Sequence, residues 1–322
     1  MDNQTTVKDF YIVAFSKNEG KESFIFLLFL LIYLIGVLAN IATIGIIYTN
    51  YQLHTPMYFF LSNLSFIDIC YITVTVPKLL NILLSGNNSI SFNQCFTQMY
   101  FYNFMAISET ILLSSMAYDR YVAICQPLHY HVFLNKKKCA MLLIVTWVSG
   151  CGDSLFLTMC TSKLSFCHSK IDQLFCDIKA LAQISCANMG LYMIIFANFF
   201  VFGLCTFLYN VISYIKILIS ILRIPSTTGR KKAFSTCTSH FTVLILYYGT
   251  SMWMYMRPSS VNTEELDQLF STVYIAVTPM LNPLIYSLRN KDVKKVLRVL
   301  VMGNKHGTSK QALSSNIPKR QR

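Results

Sequence analysis

The sequence predicts an all-α membrane protein, a bundle of seven transmembrane helices followed by a short amphipathic eighth helix. Of its 322 residues, 54% are hydrophobic and only 13% are charged, and this charged share is about half that of an ordinary soluble domain. Seven apolar stretches are each long enough to supply the roughly 20 residues that a helix needs to cross a bilayer. The Lys and Arg residues gather between and after particular stretches, which predicts how the bundle is oriented.

The first two helices come from one run without charge. No Asp, Glu, Lys or Arg occurs from Ser23 to Ile67, which is too long for one span, and Asn50, His54 and Pro56 predict a turn inside it. Later apolar runs are also continuous, whereas the strands of a membrane barrel would alternate over about 10 residues. The predicted spans, which together make a domain of residues 24–288, are 24–48, 57–82, 95–125, 139–158, 188–220, 233–256 and 268–288.

The two ends of the chain have different predicted roles. Residues 1–23 carry charges but no apolar core of a cleavable signal, so they are predicted to be extracellular, with the first helix acting as the insertion signal. Residues 289–301 place aliphatic side chains at helical spacing with basic residues between them, which predicts an amphipathic helix on the inner membrane surface. Residues 302–322 would then form a cytoplasmic tail.

The basic residues agree with this orientation. Nineteen of the 27 Lys and Arg residues fall on the predicted cytoplasmic side, as the positive-inside rule expects. The net charge of +13 also predicts attraction to anionic membrane lipid. Nucleic acid is not an expected partner, because the basic residues are scattered over separate loops. Asn3 begins an N-glycosylation motif on the predicted outside, and Asn87 begins a second one in a short loop.

The eleven cysteines divide by side of the membrane. Those in the predicted outside segments are expected to form disulfides, and four cysteines allow three pairings, among which spacing does not choose. A zinc site is the competing hypothesis, but the sequence has no CxxC motif and no Cys/His cluster. The outside cysteines are Cys95, Cys167, Cys176 and Cys186.

Two acids are predicted to lie deep in the membrane. Asp68 falls in the middle of the second helix, and Glu109 precedes Asp119 by ten residues, which is roughly 15 Å along a helix. An ionisable group at that depth costs about 2.5–3.5 kcal/mol to insert and is therefore a functional hypothesis. The two acids could share a proton or bind a cation, or they could belong to an internal network with Asn40 and Asn282.

Three further charged residues lie near helix ends. Asp119 and Arg120 are adjacent at the inner end of the third helix, where they could form an ion pair that a partner breaks. Alternatively, Arg120 could simply extend to the headgroups. Asp153 interrupts the fourth helix near its outer end, where it could be solvated at the interface or could supply a polar group to a pocket.

Several strings of sequence occur together. They closely resemble the vertebrate olfactory (odorant) receptors, a branch of the rhodopsin-like G-protein-coupled receptors, and the resemblance covers nearly the whole chain. The strings are LHTPMYFFLSNLSFIDICY at 53–71, MAYDRYVAICQPLHY at 116–130, SYIKIL at 213–218, KAFSTCTSH at 232–240 and PMLNPLIYSLRN at 279–290.

The resemblance implies a function. The expected protein is a multi-pass receptor of the cell membrane that binds a small-molecule odorant and activates a stimulatory, olfactory heterotrimeric G protein, which raises cyclic AMP. It implies disulfides Cys95–Cys176 and Cys167–Cys186, and a sodium ion held by Asp68 and Glu109 as the one possible cofactor. The residues implied as the G-protein switch are Asp119, Arg120, Tyr121, Tyr214, His240 and Tyr286.

Similar receptors bind ligands between the outer halves of helices three, five and six. The corresponding residues here are aromatic, aliphatic or neutral hydrogen-bonding residues, so the expected ligand is small, neutral and largely apolar. The predicted ligand-binding residues are Tyr102, Asn103, Ala106, Ile107, Asn198, Phe199, Phe202, Tyr248, Ser251, Met252, Tyr255 and Thr272.

Other function classes are less well supported. An ion channel or proton pathway could use Asp68 and Glu109, but no filter-like loop or repeated ring of charge occurs. An enzyme would need a nucleophile–base constellation or a metal motif, and the sequence has neither. An amine or peptide receptor would want an acid where this chain has Tyr102 and Asn103. Asp153 departs from the family pattern, and its role is left open.

Overall fold

The structure is a computed structural model that describes residues 9–13, 22–186, 189–256 and 264–289. Within these residues the chain folds into long, packed helices with a small sheet at one end. The predicted glycosylation site Asn3, the amphipathic helix after Arg289 and the tail 302–322 lie outside the described residues.

Seven long helical segments follow one another along the described chain. Two of them are interrupted by a π-helical stretch, Phe199–Cys205 in the fifth segment and Val273–Val277 in the seventh. The uninterrupted segments are α1 (Glu22–Thr49), α2 (Pro56–Ser85), α3 (Phe92–Cys125), α5 (Lys136–Ser162) and α9 (Thr227–Met256). The interrupted ones are α7 (Met189–Asn198) with α8 (Thr206–Leu222), and α10 (Glu264–Thr272) with α11 (Thr278–Arg289).

Local sequence explains where several helices begin and end. Ser91 and Gln94 form a reciprocal capping box at the start of α3, which satisfies two otherwise free amide groups. Asn135 caps α5 by accepting a hydrogen bond from the amide of Lys138. Gly86 ends α2 with a φ of 68°, a left-handed conformation that glycine adopts without steric cost.

The helices are longer than the predicted spans at most of their ends, by up to six residues in the case of α9. Hydropathy marks the point where apolar residues stop, whereas a helix continues through polar flanks as long as its backbone hydrogen bonds are made. Residues 227–232 are polar and basic, so the apolar run begins only after them. The helix nevertheless begins at Thr227.

Short elements that the sequence analysis treated as loops are also ordered. Three short strands, β1 (Asp9–Ile12), β2 (Ser89–Ser91) and β3 (Lys170–Ile171), form a sheet. Its order is β2-β1-β3, and β1 is antiparallel to β2 and parallel to β3. Two short helices, α4 (Tyr130–Phe133) and α6 (Ile178–Ile184), occur in loops, and 3-10 turns lie at Tyr51–Leu53 and Pro127–His129.

Two disulfides fasten the loop between α5 and α7. Cys95 at the start of α3 is bonded to Cys176, and Cys167 is bonded to Cys186. These are the pairings that the resemblance implies. They place α6 and β3 over the end of the bundle, where Phe10 and other apolar side chains form a second core.

The outer surface of the bundle is apolar while its interior contains polar side chains. Five helices of the described chain are long and apolar enough to cross a membrane, and large side chains such as Leu38 on α1 and Ile144 on α5 are exposed. By contrast, Asn40, Asp68 and Glu109 are buried. This inverted arrangement is that of a multi-pass membrane protein. The five helices are Glu22–Thr49, Pro56–Ser85, Lys136–Ser162, Met189–Leu222 and Gln268–Tyr286.

Candidate functional site

A cavity of about 90 Å³ lies between α3, the π-helical stretch after α7, and α9. One face of α3 and one face of α9 line this cavity, because residues three and four apart in a helix lie on the same side. Ten of the twelve residues predicted to bind ligand line this cavity. They are Asn103, Ala106, Ile107, Asn198, Phe199, Phe202, Tyr248, Ser251, Met252 and Tyr255.

The other two predicted residues do not line the cavity. The ring of Tyr102 is buried against Tyr71 and Phe175, with centroid separations of 5.1 and 4.5 Å. Tyr102 therefore faces α2 and the loop, one helical position away from the cavity face of α3. The hydroxyl of Thr272 donates to the carbonyl of Gln268 in its own helix at 2.8 Å. Neither residue is thus part of the cavity wall, although the hydroxyl of Tyr102 lies 3.4 Å from that of the lining residue Tyr255.

Seven lining residues were not predicted from the sequence. Thr110 lies one turn beyond Ala106, and Tyr247 lies one turn before Ser251, so the helical spacing of the predicted set could have found both. The hydroxyl of Tyr247 donates to the carbonyl of Ala106 at 2.9 Å and thus joins α9 to α3. The other missed residues are Leu157, Ile178, Ile195, Gly203 and Tyr274.

The cavity wall is apolar except for a few neutral groups. The side-chain nitrogen of Asn103 is buried and has no hydrogen-bond partner within the described residues. The side-chain nitrogen of Asn198 donates to both carboxylate oxygens of Asp153, at 2.7 Å each. None of the described residues that line the cavity is charged.

An acid lies just outside this wall, in the loop that covers the bundle. Asp177 is buried, and it accepts a hydrogen bond of 3.2 Å from the hydroxyl of the lining residue Tyr255. Burial raises the pKa of the Asp177 carboxyl, and the hydrogen bond from Tyr255 opposes that shift. Asp177 itself is not part of the cavity wall, and its carboxyl is engaged by Tyr255.

Deeper in the bundle, Asp68 and Glu109 form a buried acidic pair. The amide of Asn282 donates to both carboxylate oxygens of Asp68, at 3.0 and 3.2 Å. One oxygen of Glu109 and the side-chain oxygens of Asn282 and Asn40 are buried without a hydrogen-bond partner in the described chain. Unpaired hard oxygens of this kind are the donors that a small hard cation prefers, so the residues fit the implied sodium ion.

At the opposite end of the bundle, the implied switch residues surround the end of α3. Arg120 forms an ion pair with Asp119 at 3.1 Å, and Tyr130 donates to the other oxygen of Asp119 at 2.8 Å. The hydroxyl of Tyr214 hydrogen-bonds to His240 at 2.7 Å. Burial, followed by the charge of Asp119, raises the pKa of Tyr130, so its hydroxyl is protonated and can donate.

The two remaining switch residues lie beside this group. Tyr286 is buried, and its hydroxyl has no hydrogen-bond partner among the described residues. The ring of Tyr121 lies 5.7 Å from the ammonium of Lys216, within the range of a cation–π contact. A larger cavity of about 1170 Å³ opens here, and Asp119, Arg120 and Tyr286 are part of its wall.

A multi-pass helix bundle with one cavity between its helices and a second cavity beside Arg120 has the architecture of a membrane receptor. Comparison with known proteins identifies the family. Residues 29–303 match the family profile described as olfactory receptor. The chain is 42% identical over 303 residues to olfactory receptor 1M1 of Mus musculus, covering 93% of this chain and 96% of the relative.

Two further relatives give the same result. The chain is 44% identical over 309 residues to olfactory receptor 13F1 of Homo sapiens, covering 95% of this chain and 97% of the relative. It is 40% identical over 305 residues to olfactory receptor-like protein OLF4 of Canis lupus familiaris, covering 94% and 99%. The chain therefore belongs to the olfactory receptor family of G-protein-coupled receptors, whose members are receptors rather than enzymes. The predicted family is confirmed.

Proposed function

We propose that this olfactory receptor binds a small, neutral, largely apolar odorant in the cavity between α3 and α9 and activates the stimulatory olfactory G protein, which raises cyclic AMP. The observation that supports the ligand class is the cavity wall, which is aromatic and aliphatic, has a few neutral hydrogen-bonding groups and has no charge among the described lining residues. Such a wall favours an apolar molecule with one polar group, and an ammonium ligand would lose its hydration without a counter-ion.

The proposed signal travels along α9. This helix is uninterrupted from Thr227 to Met256, so Tyr248 at the odorant cavity and His240 at the inner end belong to one rod and lie about 12 Å apart along it. An odorant that binds better when α9 has moved outward shifts the population toward that state. The G protein then docks at the inner cavity, beside Arg120.

The ion pair between Asp119 and Arg120 corresponds to the resting state in this proposal. Arg120 is engaged by Asp119 and only slightly exposed, so a G protein that needs this guanidinium must compete with the carboxylate. Bound sodium would also favour the resting state. Held by Asp68, Glu109, Asn282 and Asn40, it would supply positive charge that keeps the bundle interior closed.

The topology is also part of the proposal. Seven spans with the N-terminus extracellular and the C-terminus cytoplasmic would place both disulfides on the oxidising side. The same topology would place the basic segment Lys136–Lys138 at the cytoplasmic surface, next to anionic lipid. The eighth helix, over residues 289–301, would rest on that surface.

A cyclic-AMP reporter screen over a broad odorant panel tests the function. Cells expressing the receptor should respond to a subset of neutral odorants, and Arg120→Ala at equal surface expression should abolish the response. Asn103→Leu should change the ranking of odorants, because it removes a buried donor from the cavity. A response that survives Arg120→Ala undiminished would refute the switch, and ion flux in liposomes that contain only this protein would favour a channel.

A further inference from the structure

The structure contains an acid that the family pattern does not explain. Asp153 on α5 is partly buried, and both of its carboxylate oxygens lie 2.7 Å from the amide nitrogen of Asn198, which donates to them. Asn198 lines the odorant cavity, and so does Leu157, which lies four residues beyond Asp153 on the same face of α5. The acid therefore lies directly behind a residue of the cavity wall.

We propose that Asp153 is a positioning residue that fixes the side chain of Asn198 and thereby makes the cavity select odorants that carry a hydroxyl donor. A carboxylate accepts hydrogen bonds but does not donate them, so the amide nitrogen of Asn198 must face it. The two oxygens belong to one carboxylate and lie on the same side of the nitrogen, so they share one N–H. This contact holds the amide nitrogen against Asp153 and leaves the carbonyl oxygen, which can only accept, free to bind a hydroxyl donor of a ligand.

The position of Asn198 in its helix supports this role. It is the last residue of α7, directly before the π-helical stretch Phe199–Cys205, and its side chain makes no capping hydrogen bond. Helical π-stretches commonly occur at functional sites. Without Asp153 the amide could rotate about its terminal torsion and present either its nitrogen or its oxygen, because that torsion is roughly two-fold.

Asn103 completes the argument about ligand chemistry. Its buried amide nitrogen has no partner in the described part of the chain, so it offers a donor to the same cavity. An alcohol can accept from Asn103 and donate to Asn198. A methyl ether of the same skeleton can only accept, so it keeps the first contact and faces an unpaired acceptor at Asn198. Leaving a buried polar group unpaired carries a substantial free-energy cost.

This inference rests on the proposed odorant function, and its test compares alcohols with their methyl ethers. Hexanol, octanol and phenylethanol, each beside its methyl ether, are assayed in the cyclic-AMP reporter together with a broad odorant panel. Wild-type receptor should prefer the alcohols by about tenfold in EC50, the value expected for one hydrogen bond. In Asp153→Ala this preference should fall to about the level found in Asn198→Ala, and the double variant should add nothing further.

Controls separate positioning from simple loss of structure. Leu155→Ala removes a half-exposed side chain from another face of α5 and should keep the preference. Asp153→Glu retains the acceptor and should restore part of it. A purely structural role would lower surface expression and every response together, without changing the alcohol-to-ether ratio.

The outcomes distinguish the two proposals. If wild-type receptor responds to odorants but shows no preference for donors, or if Asp153→Ala leaves the preference intact, the positioning role is refuted while the receptor function stands. If no odorant elicits a response, the proposed function fails. The hydrogen bond between Asp153 and Asn198 is then still tested by thermal unfolding of wild-type receptor, Asp153→Ala, Asn198→Ala and the double variant. Strictly additive losses of stability in the two single variants would refute this bond.

Discussion

The hydroxyl of Tyr214 and the ring of His240 are joined by a hydrogen bond of 2.7 Å that links α8 to α9 near the inner end of the bundle. Both side chains are buried, and His240 is fully so. A buried polar group has no water to replace a lost partner, so this bond fixes the relative position of the two helices.

Removal of either partner should destabilise the protein. Tyr214→Phe leaves a ring nitrogen of His240 unpaired, and His240→Phe leaves the phenol unpaired. Each should lower the free energy of unfolding by about 1–3 kcal/mol. The free energy of unfolding of the double variant should fall by clearly less than the sum of the two single losses, since the second substitution removes a group that is already unpaired. Thermal unfolding of the purified receptor in detergent measures all three.

Tyr192→Phe is the matched control, because Tyr192 is partly exposed on the surface of α7 and should lose its hydroxyl with little effect. Strictly additive losses for Tyr214→Phe and His240→Phe would mean that the two groups do not act as a pair.

Much of the helical framework could be predicted from the sequence. Apolar runs of about 20 residues identify spans without any knowledge of their neighbours, because a membrane helix satisfies its own backbone. The small sheet could not be found in this way. Its strand β3 has only two residues, too few for an alternating pattern, and its partners are brought together only by the folded loop.

The lining of the cavity proposed to bind odorant could be predicted where it depends on one helix at a time. Helical spacing places Asn103, Ala106 and Ile107 on one face of α3, and all three line the cavity. Tyr102 shows the limit, because adjacent positions are about 100° apart and the rotation of α3 toward its neighbours is not encoded in the spacing. Ile178 enters from the loop helix α6, whose placement depends on the disulfide at Cys176.

The two disulfides should differ in their contribution to stability. Cys95–Cys176 closes a segment of 81 residues and Cys167–Cys186 one of 19. The chain-entropy model assigns them about 4.5 and about 3 kcal/mol respectively. Replacing both cysteines of the first pair by Ser should therefore reduce surface expression more than the same change in the second pair, as measured by antibody staining of intact cells.

Cys151→Ser provides the control for the disulfide variants, since Cys151 is a free, exposed cysteine. A larger loss from the Cys167–Cys186 pair than from the Cys95–Cys176 pair would show that loop length does not govern the effect.

Asp119→Asn should raise basal signalling. The substitution removes the charge that holds Arg120 at 3.1 Å but leaves an oxygen that can accept from Tyr130. A shift of about 1 kcal/mol in favour of the state with a free guanidinium corresponds to about a fivefold change in its population. Odorant-free cyclic AMP, normalised to surface expression, is the measurement.

The control for this variant is Asp172→Asn. It breaks the exposed ion pair of Asp172 with Lys170, at 2.9 Å, in the loop at the other end of the bundle, and should leave basal cyclic AMP unchanged. Equal basal signalling in wild-type receptor and Asp119→Asn would contradict a restraining role for this ion pair.

Sodium should stabilise the ligand-free receptor. An ion that binds only the folded protein raises the unfolding temperature in a concentration-dependent manner. The unfolding temperature should therefore be higher in sodium chloride than in choline chloride at equal ionic strength. The difference should disappear in Asp68→Asn and Glu109→Gln, which weaken the acidic pair, and persist in Asp172→Asn, which removes an exposed acid. A wild-type unfolding temperature that is the same in both salts would rule out the proposed sodium site.

Gly150 on α5 should tolerate a side chain poorly, because atoms of α3 lie close to it. A Cβ atom at Gly150 would lie 2.3 Å from the hydroxyl oxygen of Ser108 and 3.0 Å from the carbonyl oxygen of Phe104. The Ser108 side chain can rotate, but the carbonyl belongs to a helix backbone and cannot yield without moving α3. Gly150→Ala should therefore cost about 1–3 kcal/mol and reduce surface expression, whereas Gly152→Ala, with no atom within 4 Å of its added Cβ, should not. Equal expression of the two variants would disprove this close approach of α3 to α5.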